Sequence, residues 1–164
     1  MSRGNLLITQ EWERESLNWI AAEVRGRGFN TNDVGMLQLS CEYSGIIGQQ
    51  LAHKLSCGEK PMNIEPVNIP YNGEFEVVIH PDVLDRHRRW LVVDSGCLTG
   101  RNFRSVETIL LNYGVPRDQM LFCCIACTFQ AAFVPDICPV RFDAKSQAVH
   151  FWWECGTQAF GAGV

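Results

Sequence analysis

A chain of 164 residues, 46% hydrophobic and 20% charged, has the size of one globular domain and buries about two-thirds of its unfolded surface. Its net charge of −4 excludes a dominant nucleic-acid-binding face, which needs surplus basic side chains to collect phosphates. No stretch approaches the run of about 18 apolar residues that crosses a bilayer, and the apolar part of residues 1–8 is too short for a signal peptide, so the expectation is a cytoplasmic protein with no membrane partner.

Thr9 is the expected N-cap of a first helix, whose stripe of Trp12, Leu17, Ile20, Ala21 and Val24 faces a sheet before Gly26 and Gly28 end it. Residues 34–40 read as a strand, 41–45 as a loop and 46–55 as a helix, a first β-loop-α unit. A second strand is expected at 63–69, followed by a turn at Tyr71-Asn72-Gly73-Glu74 and an extended stretch at 75–79 that forms a hairpin arm. Residues 80–89 form a charged connection into a strand at 90–93, and 103–112 a helix closed by Gly114 and Pro116. A buried strand follows at 120–128, then breaks at Pro135-Asp136 and Cys138-Pro139, an aromatic extended segment at 148–153, and a loosely ordered tail at 156–164. This alternation, without a linker-like change of composition, predicts one α/β domain: a mostly parallel twisted sheet flanked by helices, with a small arm.

The stretch Trp90-Leu91-Val92-Val93-Asp94-Ser95-Gly96-Cys97-Leu98-Thr99-Gly100-Arg101-Asn102 carries most of the functional information. A buried strand delivers a carboxylate to the mouth of the sheet, and a Thr-Gly turn then aims backbone N–H groups and a helix N-terminus at one point, the construction of a phosphate cradle. An ordinary βα turn of a doubly wound sheet has the same local ingredients; the register and the order of elements along the whole chain favour the phosphate site.

That register resembles the signature of the type I phosphoribosyltransferases: four apolar residues, two acids, three variable residues, then Thr-Gly-x-Thr/Ser. The likeness extends to the xanthine/guanine and hypoxanthine subgroup through Ile8-Thr9-Gln10-Glu11, Tyr71 to Val78, Pro135-Asp136 and Phe151-Trp152-Trp153-Glu154-Cys155-Gly156. It implies the phosphoribosyltransferase fold with its hood or arm, and a glycosyltransferase of purine salvage that takes phosphoribosyl pyrophosphate with Mg²⁺. By that resemblance Asp94, with Ser95 beside it, orients the ribose, and Leu98, Thr99, Gly100, Arg101 and Asn102 hold the 5′-phosphate. Ser40, Cys41, Glu42, Tyr43, Ser44 and Gly45 take the place of the pyrophosphate loop, and Ala148, Val149 and Trp153 that of the base pocket. Mg²⁺ would be held through substrate and Asp94 rather than by protein ligands alone, and homo-oligomers are expected from the relatives.

The chain departs from that pattern at its chemistry. Ser95 replaces the second acid, and Leu98 the carboxylate that serves as base; a leucine moves no proton. Glu42 brings negative charge to a loop that meets pyrophosphate. The base-reading lysine has no counterpart in Ile125-Ala126-Cys127-Thr128, and the stacking aromatic aligns with Ala148. The expectation is a repurposed site: a divergent transferase acting on a purine-like base or, alternatively, a pseudoenzyme that senses a nucleotide or serves as an assembly subunit.

Two other signals compete with bland readings. Cys124-Ile125-Ala126-Cys127 matches a C-x-x-C zinc or redox motif, joined by Cys138 or Cys155, but its apolar strand context favours buried thiols. Arg86-His87-Arg88-Arg89 is either a solvated run or a second anion site beside the Asp94 strand.

Overall fold

The computed structural model describes residues 4–40, 45–56, 62–68 and 77–154. Two sheets organise them. A five-stranded sheet runs in the order β3 (Ile64–Asn68), β2 (Val34–Ser40), β4 (Arg89–Cys97), β5 (Met120–Thr128), β6 (Val140–Phe142), and every neighbouring pair is parallel. A separate parallel pair joins β1 (Gly4–Ile8) to β7 (Gln147–Phe151). The expected α/β architecture with a small appendage is present.

Parallel strands need crossovers, and the helices supply them. On one face, α1 (Gln10–Gly26) and α2 (Gly45–Leu55) bury Leu17, Ile20, Val24 and Leu51 against Leu91 and Val93 of β4. On the other, α4 (Arg101–Asn112) buries Phe103, Val106 and Leu110 against Trp90, Val92 and Phe122. The central strands are therefore apolar on both sides, and β5 is buried at every one of its nine residues.

Thr9 caps α1 as expected, its hydroxyl accepting the Trp12 N–H at 3.2 Å. The helix is rotated relative to the predicted stripe, however. Trp12 is 36% exposed, and Glu13 is buried instead. The carboxylate tolerates this position because Trp152 Nε1 donates to it at 2.8 Å and Gln50 Nε2 at 3.4 Å, tying α1 to α2 and to the segment after β7. Burial raises the Glu13 pKa against these two bonds.

Four further differences shape the molecule. β4 extends beyond the expected 90–93 to Cys97, so Asp94 lies within the strand instead of at its end. Residues 77–79, expected as part of a hairpin arm, are not in a strand; Val77 and Ile79 pack into the core on the α4 face. The connection at 80–89 contains a helical turn, α3 (Pro81–Leu84), which starts at His80 with Pro81 in its first turn. Its sequence is too short to show helical periodicity. Trp152 and Trp153 leave the extended conformation for a helical turn after β7. The expected turn at 71–74, the tail at 156–164 and Cys155 lie outside the described residues.

Candidate phosphate site

β4 ends at Cys97, and residues 98–100 turn the chain into α4. Gly100 is the N-cap, at φ +80°, the left-handed region that a residue with a side chain enters only under strain. A Cβ there would lie 2.6–2.9 Å from Phe133 Cβ, N and O, so position 100 accepts only glycine for two independent reasons. The loop is fixed from the same direction. Ala132 N–H donates to Thr99 O at 3.0 Å, Thr128 Oγ1–H to Leu98 O at 2.8 Å, and Arg104 to Ala132 O at 3.2 Å.

The N-cap, Gly100, has no side chain with which to cap α4. The first turn of any helix has N–H groups without intrahelical acceptors, and here only that of Arg101 is drawn to Thr99 Oγ1, at 3.3 Å. Thr99 and Arg101 are exposed and Asn102 half-buried. The arrangement is a rigid backbone turn at the positive end of a helix with its donors facing outward.

Asp94 lies three residues before the turn. Its Oδ1 accepts the Ser95 N–H at 2.7 Å and the Ser95 hydroxyl at 3.4 Å. Burial outweighs these bonds and pushes the carboxyl pKa up to about 7. Among the described residues no cation is paired with it, and burial disfavours its charged form. A ribose hydroxyl donating to Asp94, or a divalent cation beside it, would favour the ionised form.

Sequence reasoning missed Phe151 as a neighbour of this strand. The ring of Phe151 passes 3.8 Å from the Cβ position of Gly96 and stacks on Trp153 with centroids 4.5 Å apart at 12°. Gly96 thus lets the aromatic stack approach the backbone two residues from Asp94. The signal was present in Phe151-Trp152-Trp153, but alternation along β7 cannot reveal which ring crosses to another strand. Val149 and Trp153, assigned to the base pocket by resemblance, pack against the core on the α1 and α2 face; Ala148 is half-buried and pairs with Asn5 of β1.

Other assigned residues separate cleanly. Of the pyrophosphate-loop stretch, Ser40 ends β2 and Gly45 begins α2, while Cys41, Glu42, Tyr43 and Ser44 lie outside the described residues. The stretch Ile125-Ala126-Cys127-Thr128, which carries no counterpart of the base-reading lysine, ends on Thr128, which is buried and donates its hydroxyl to Leu98 O. Leu98 itself is 66% exposed, as are Phe129 and Val134 nearby in sequence to the loop's supports, at 62% and 55%.

The Arg86–Arg89 run belongs to the opposite end of β4. A parallel strand rises about 3.3 Å per residue, so Arg89 and Thr99 are separated by most of the strand's length. Arg86 pairs with Glu65 at 2.7 Å, and Arg89 donates to Gly28 O at 2.8 Å with its guanidinium 4.1 Å above the Phe29 ring. His87 meets Trp90 edge-on. The run therefore lies at the end of β4 remote from the 98–100 turn, with Arg86 and Arg88 exposed. Asp85, at the same end, accepts from the Tyr113 hydroxyl, and Asp82 pairs with His80, so neither substitutes for the missing carboxylates.

Comparison with solved structures decides the fold. The chain superposes with a TM-score of 0.70 on the xanthine-guanine-hypoxanthine phosphoribosyltransferase of Helicobacter pylori, over 99% of this chain and all of that one, at 13% identity. The protein has the type I phosphoribosyltransferase fold. A purine phosphoribosyltransferase from Pyrococcus horikoshii gives a TM-score of 0.69 at 21% identity over 92% of this chain and 93% of that chain. A Neisseria gonorrhoeae protein with bound ppGpp gives 0.61 at 15% identity over 94% and 91%. No protein-family model matches the chain, and no curated protein sequence does. On this phosphoribosyltransferase fold, the 98–100 turn joins β4 to the N-terminus of α4.

Proposed function

We propose that the chain binds a 5′-phosphorylated ribosyl ligand, phosphoribosyl pyrophosphate or a purine nucleotide, with the phosphate on the 98–102 turn and the ribose hydroxyls on Asp94. The observation that carries this reading is the uncapped N-terminus of α4 behind a left-handed Gly100, held rigid by Phe133 and Ala132. Thr99 Oγ1 and the Asn102 side chain add donors to the backbone N–H groups. The ppGpp bound to a similar fold makes guanine nucleotides the first ligands to examine.

Mg²⁺ fits as a substrate-borne ion: Asp94 is a single carboxylate, and Mg²⁺ characteristically takes one or two carboxylates with the remaining oxygens from phosphates and water. When bound it would neutralise pyrophosphate charge. The chain's own contribution to transfer would be positioning, with Asp94 holding the ribose and the turn fixing the phosphate while the glycosidic carbon develops positive charge.

Binding without turnover is the second reading, and Leu98 favours it. An exposed aliphatic side chain supplies neither a proton acceptor for an incoming base nor a hydrogen bond to it. Titration calorimetry with phosphoribosyl pyrophosphate, GMP and ppGpp, each with Mg²⁺, tests both readings on wild type and on the double variant Thr99→Ala/Gly100→Val. Binding by wild type that the variant loses supports the phosphate site; binding by neither protein would overturn it. Pyrophosphate release from phosphoribosyl pyrophosphate with guanine, xanthine or hypoxanthine then separates transferase from sensor.

A further inference from the structure

We propose that Arg141 is a second anion anchor at the C-terminal edge of the sheet, holding a second phosphate of the ligand whose 5′-phosphate lies on the 98–102 turn. The proposal rests on the ligand reading above and adds to it the chemical class of that ligand, a ribosyl compound with phosphate groups on two of its carbons.

Strand register brings Arg141 to the turn. Arg141 of β6 pairs with Cys127 of β5, and Cys127 with Cys97, the residue on which β4 ends; both cysteines are buried free thiols. Adjacent strands lie about 4.8 Å apart, so two steps put the Arg141 backbone about 10 Å from that of Cys97. From there the side chain reaches toward the end of β5: Nη2 donates to Thr128 O at 3.4 Å, and Cζ lies 5.6 Å from the centre of the Phe129 ring. Thr128 in turn donates its hydroxyl to Leu98 O at 2.8 Å. One buried residue thus touches both the phosphate turn and the guanidinium. The two anion-seeking groups are held at a fixed separation, one that a ribose phosphorylated on two carbons spans.

The charge on Arg141 is unspent. The residue is half-buried, and none of the ion pairs among the described residues includes it. Its Nε is buried without a hydrogen-bond partner. An unmet donor on a partly desolvated cation is unfavourable in the free protein, and an anion removes both defects at once. Asp143, two residues on, is engaged elsewhere: it accepts from Gln130 Nε2 at 2.6 Å, the Lys145 N–H at 3.0 Å and the Ser146 hydroxyl at 3.1 Å. The planar fork of a guanidinium suits a phosphate, to which it donates two parallel hydrogen bonds.

Phe129 covers the position. Its ring is 62% exposed and shields the guanidinium beneath it from water, which strengthens the attraction for an anion. The backbone around it is pinned, with Phe129 N–H donating to Phe142 O at 2.8 Å and Ala144 N–H to Gln130 Oε1 at 3.1 Å. Exposed side chains change rotamer rapidly, so the ring can swing aside and open Nε to the ligand while the frame stays in place.

The test is titration calorimetry with two matched pairs, each with Mg²⁺: ribose 5-phosphate against phosphoribosyl pyrophosphate, and GMP against guanosine 3′,5′-bisphosphate. Wild type should bind the second member of at least one pair about tenfold more tightly than the first. Arg141→Ala should abolish that preference and change affinity for ribose 5-phosphate and GMP by less than about twofold. Arg141→Lys, which keeps the charge and loses the fork, should keep part of the preference. The pair that shows the loss identifies the group held, pyrophosphate or 3′-phosphate. An unchanged preference in Arg141→Ala, equal losses across all four ligands, or no preference in wild type would overturn the proposal. If wild type binds none of the four, the phosphate turn fails and the second anchor falls with it; ribose 5-phosphate bound with no effect of Arg141 on any ligand sinks the second anchor alone. Circular dichroism melts check that each variant is folded, and the wild-type preference is read without any variant.

Discussion

The two ends of β4 use their polar side chains in opposite ways. At the lower end, Arg86 and Arg89 are matched to Glu65, Gly28 O and the Phe29 ring, and the charges are consumed in packing. At the upper end, Asp94 has no cationic partner among the described residues, and the N-cap of α4 is a glycine with no side chain to offer. The Arg86–Arg89 run offered an alternative anion site in the sequence, yet the Thr-Gly turn is the one with backbone donors to spare. What marks a binding site is unspent hydrogen-bonding capacity held rigidly, and charge content alone does not measure it.

That contrast is broken most severely at Gly100. Gly100→Val should destabilise the protein by about 3 kcal/mol, from left-handed strain plus collision with the Phe133 backbone, read as a lower urea midpoint at unchanged slope. Any nucleotide binding should disappear with it. A wild-type midpoint would show that the turn is not held as described.

Asp94→Asn separates stability from function. With a folded pKa near 7 against an ordinary value of 3.8, the native state binds more protons than the unfolded chain between those values. Stability therefore falls as pH rises from about 4 to 7 and levels above it. Asn removes that loss, so the variant should gain on the order of 2 kcal/mol at pH 8 and lose the slope in this window. Its affinity for ribosyl ligands should fall at least tenfold by calorimetry. Bound Mg²⁺-ligand should also reduce the wild-type slope by holding Asp94 ionised.

Arg89→Ala is the mirror experiment at the lower end. Loss of the Gly28 hydrogen bond and of the contact with the Phe29 ring should lower stability by about 1 kcal/mol and leave ligand affinity unchanged. A tenfold loss of affinity would join the two ends functionally and erase the distinction. The smallest structural effect is expected from Leu98→Asp, because the side chain is 66% exposed; denaturation should move by less than about 0.5 kcal/mol. Assay of that variant for pyrophosphate release asks whether the missing carboxylate is what separates this protein from turnover.

Much of this was legible in the sequence. The apolar runs of β2 and β5, the Thr9 cap and the Thr99-Gly100 turn rest on local rules that the chain obeys, and the structure reproduces them. The burial of Glu13 was not, because its partners Gln50 and Trp152 are distant in sequence and a helical stripe favours Trp12 as the apolar residue. β6 escaped notice because three residues directly after the breaks at Pro135 and Pro139 carry no period. Around the candidate site, the residues themselves showed a Thr-Gly turn following the strand that carries Asp94. They did not reveal that Thr128 closes the loop through Leu98 O, since a side chain's choice of acceptor depends on how adjacent strands end.

The small sheet has a bearing on how the chain reaches this state. β1 pairs with β7 in parallel, residue Gly4 opposite Gln147 and Ile8 opposite Phe151, so the first described strand finds its mate only after nearly every other element has formed. Glu13 and Trp152, 139 positions apart, close the same circuit. Contacts of such separation form late and slow folding, since loop-closure entropy precedes any reward. During synthesis the open-sheet domain can assemble while β1 waits, its backbone edge unpaired and the Glu13 carboxylate still solvated. A nascent chain stalled before residue 147 would carry the five-stranded sheet and the 98–100 turn while β1 still lacked its pairing strand.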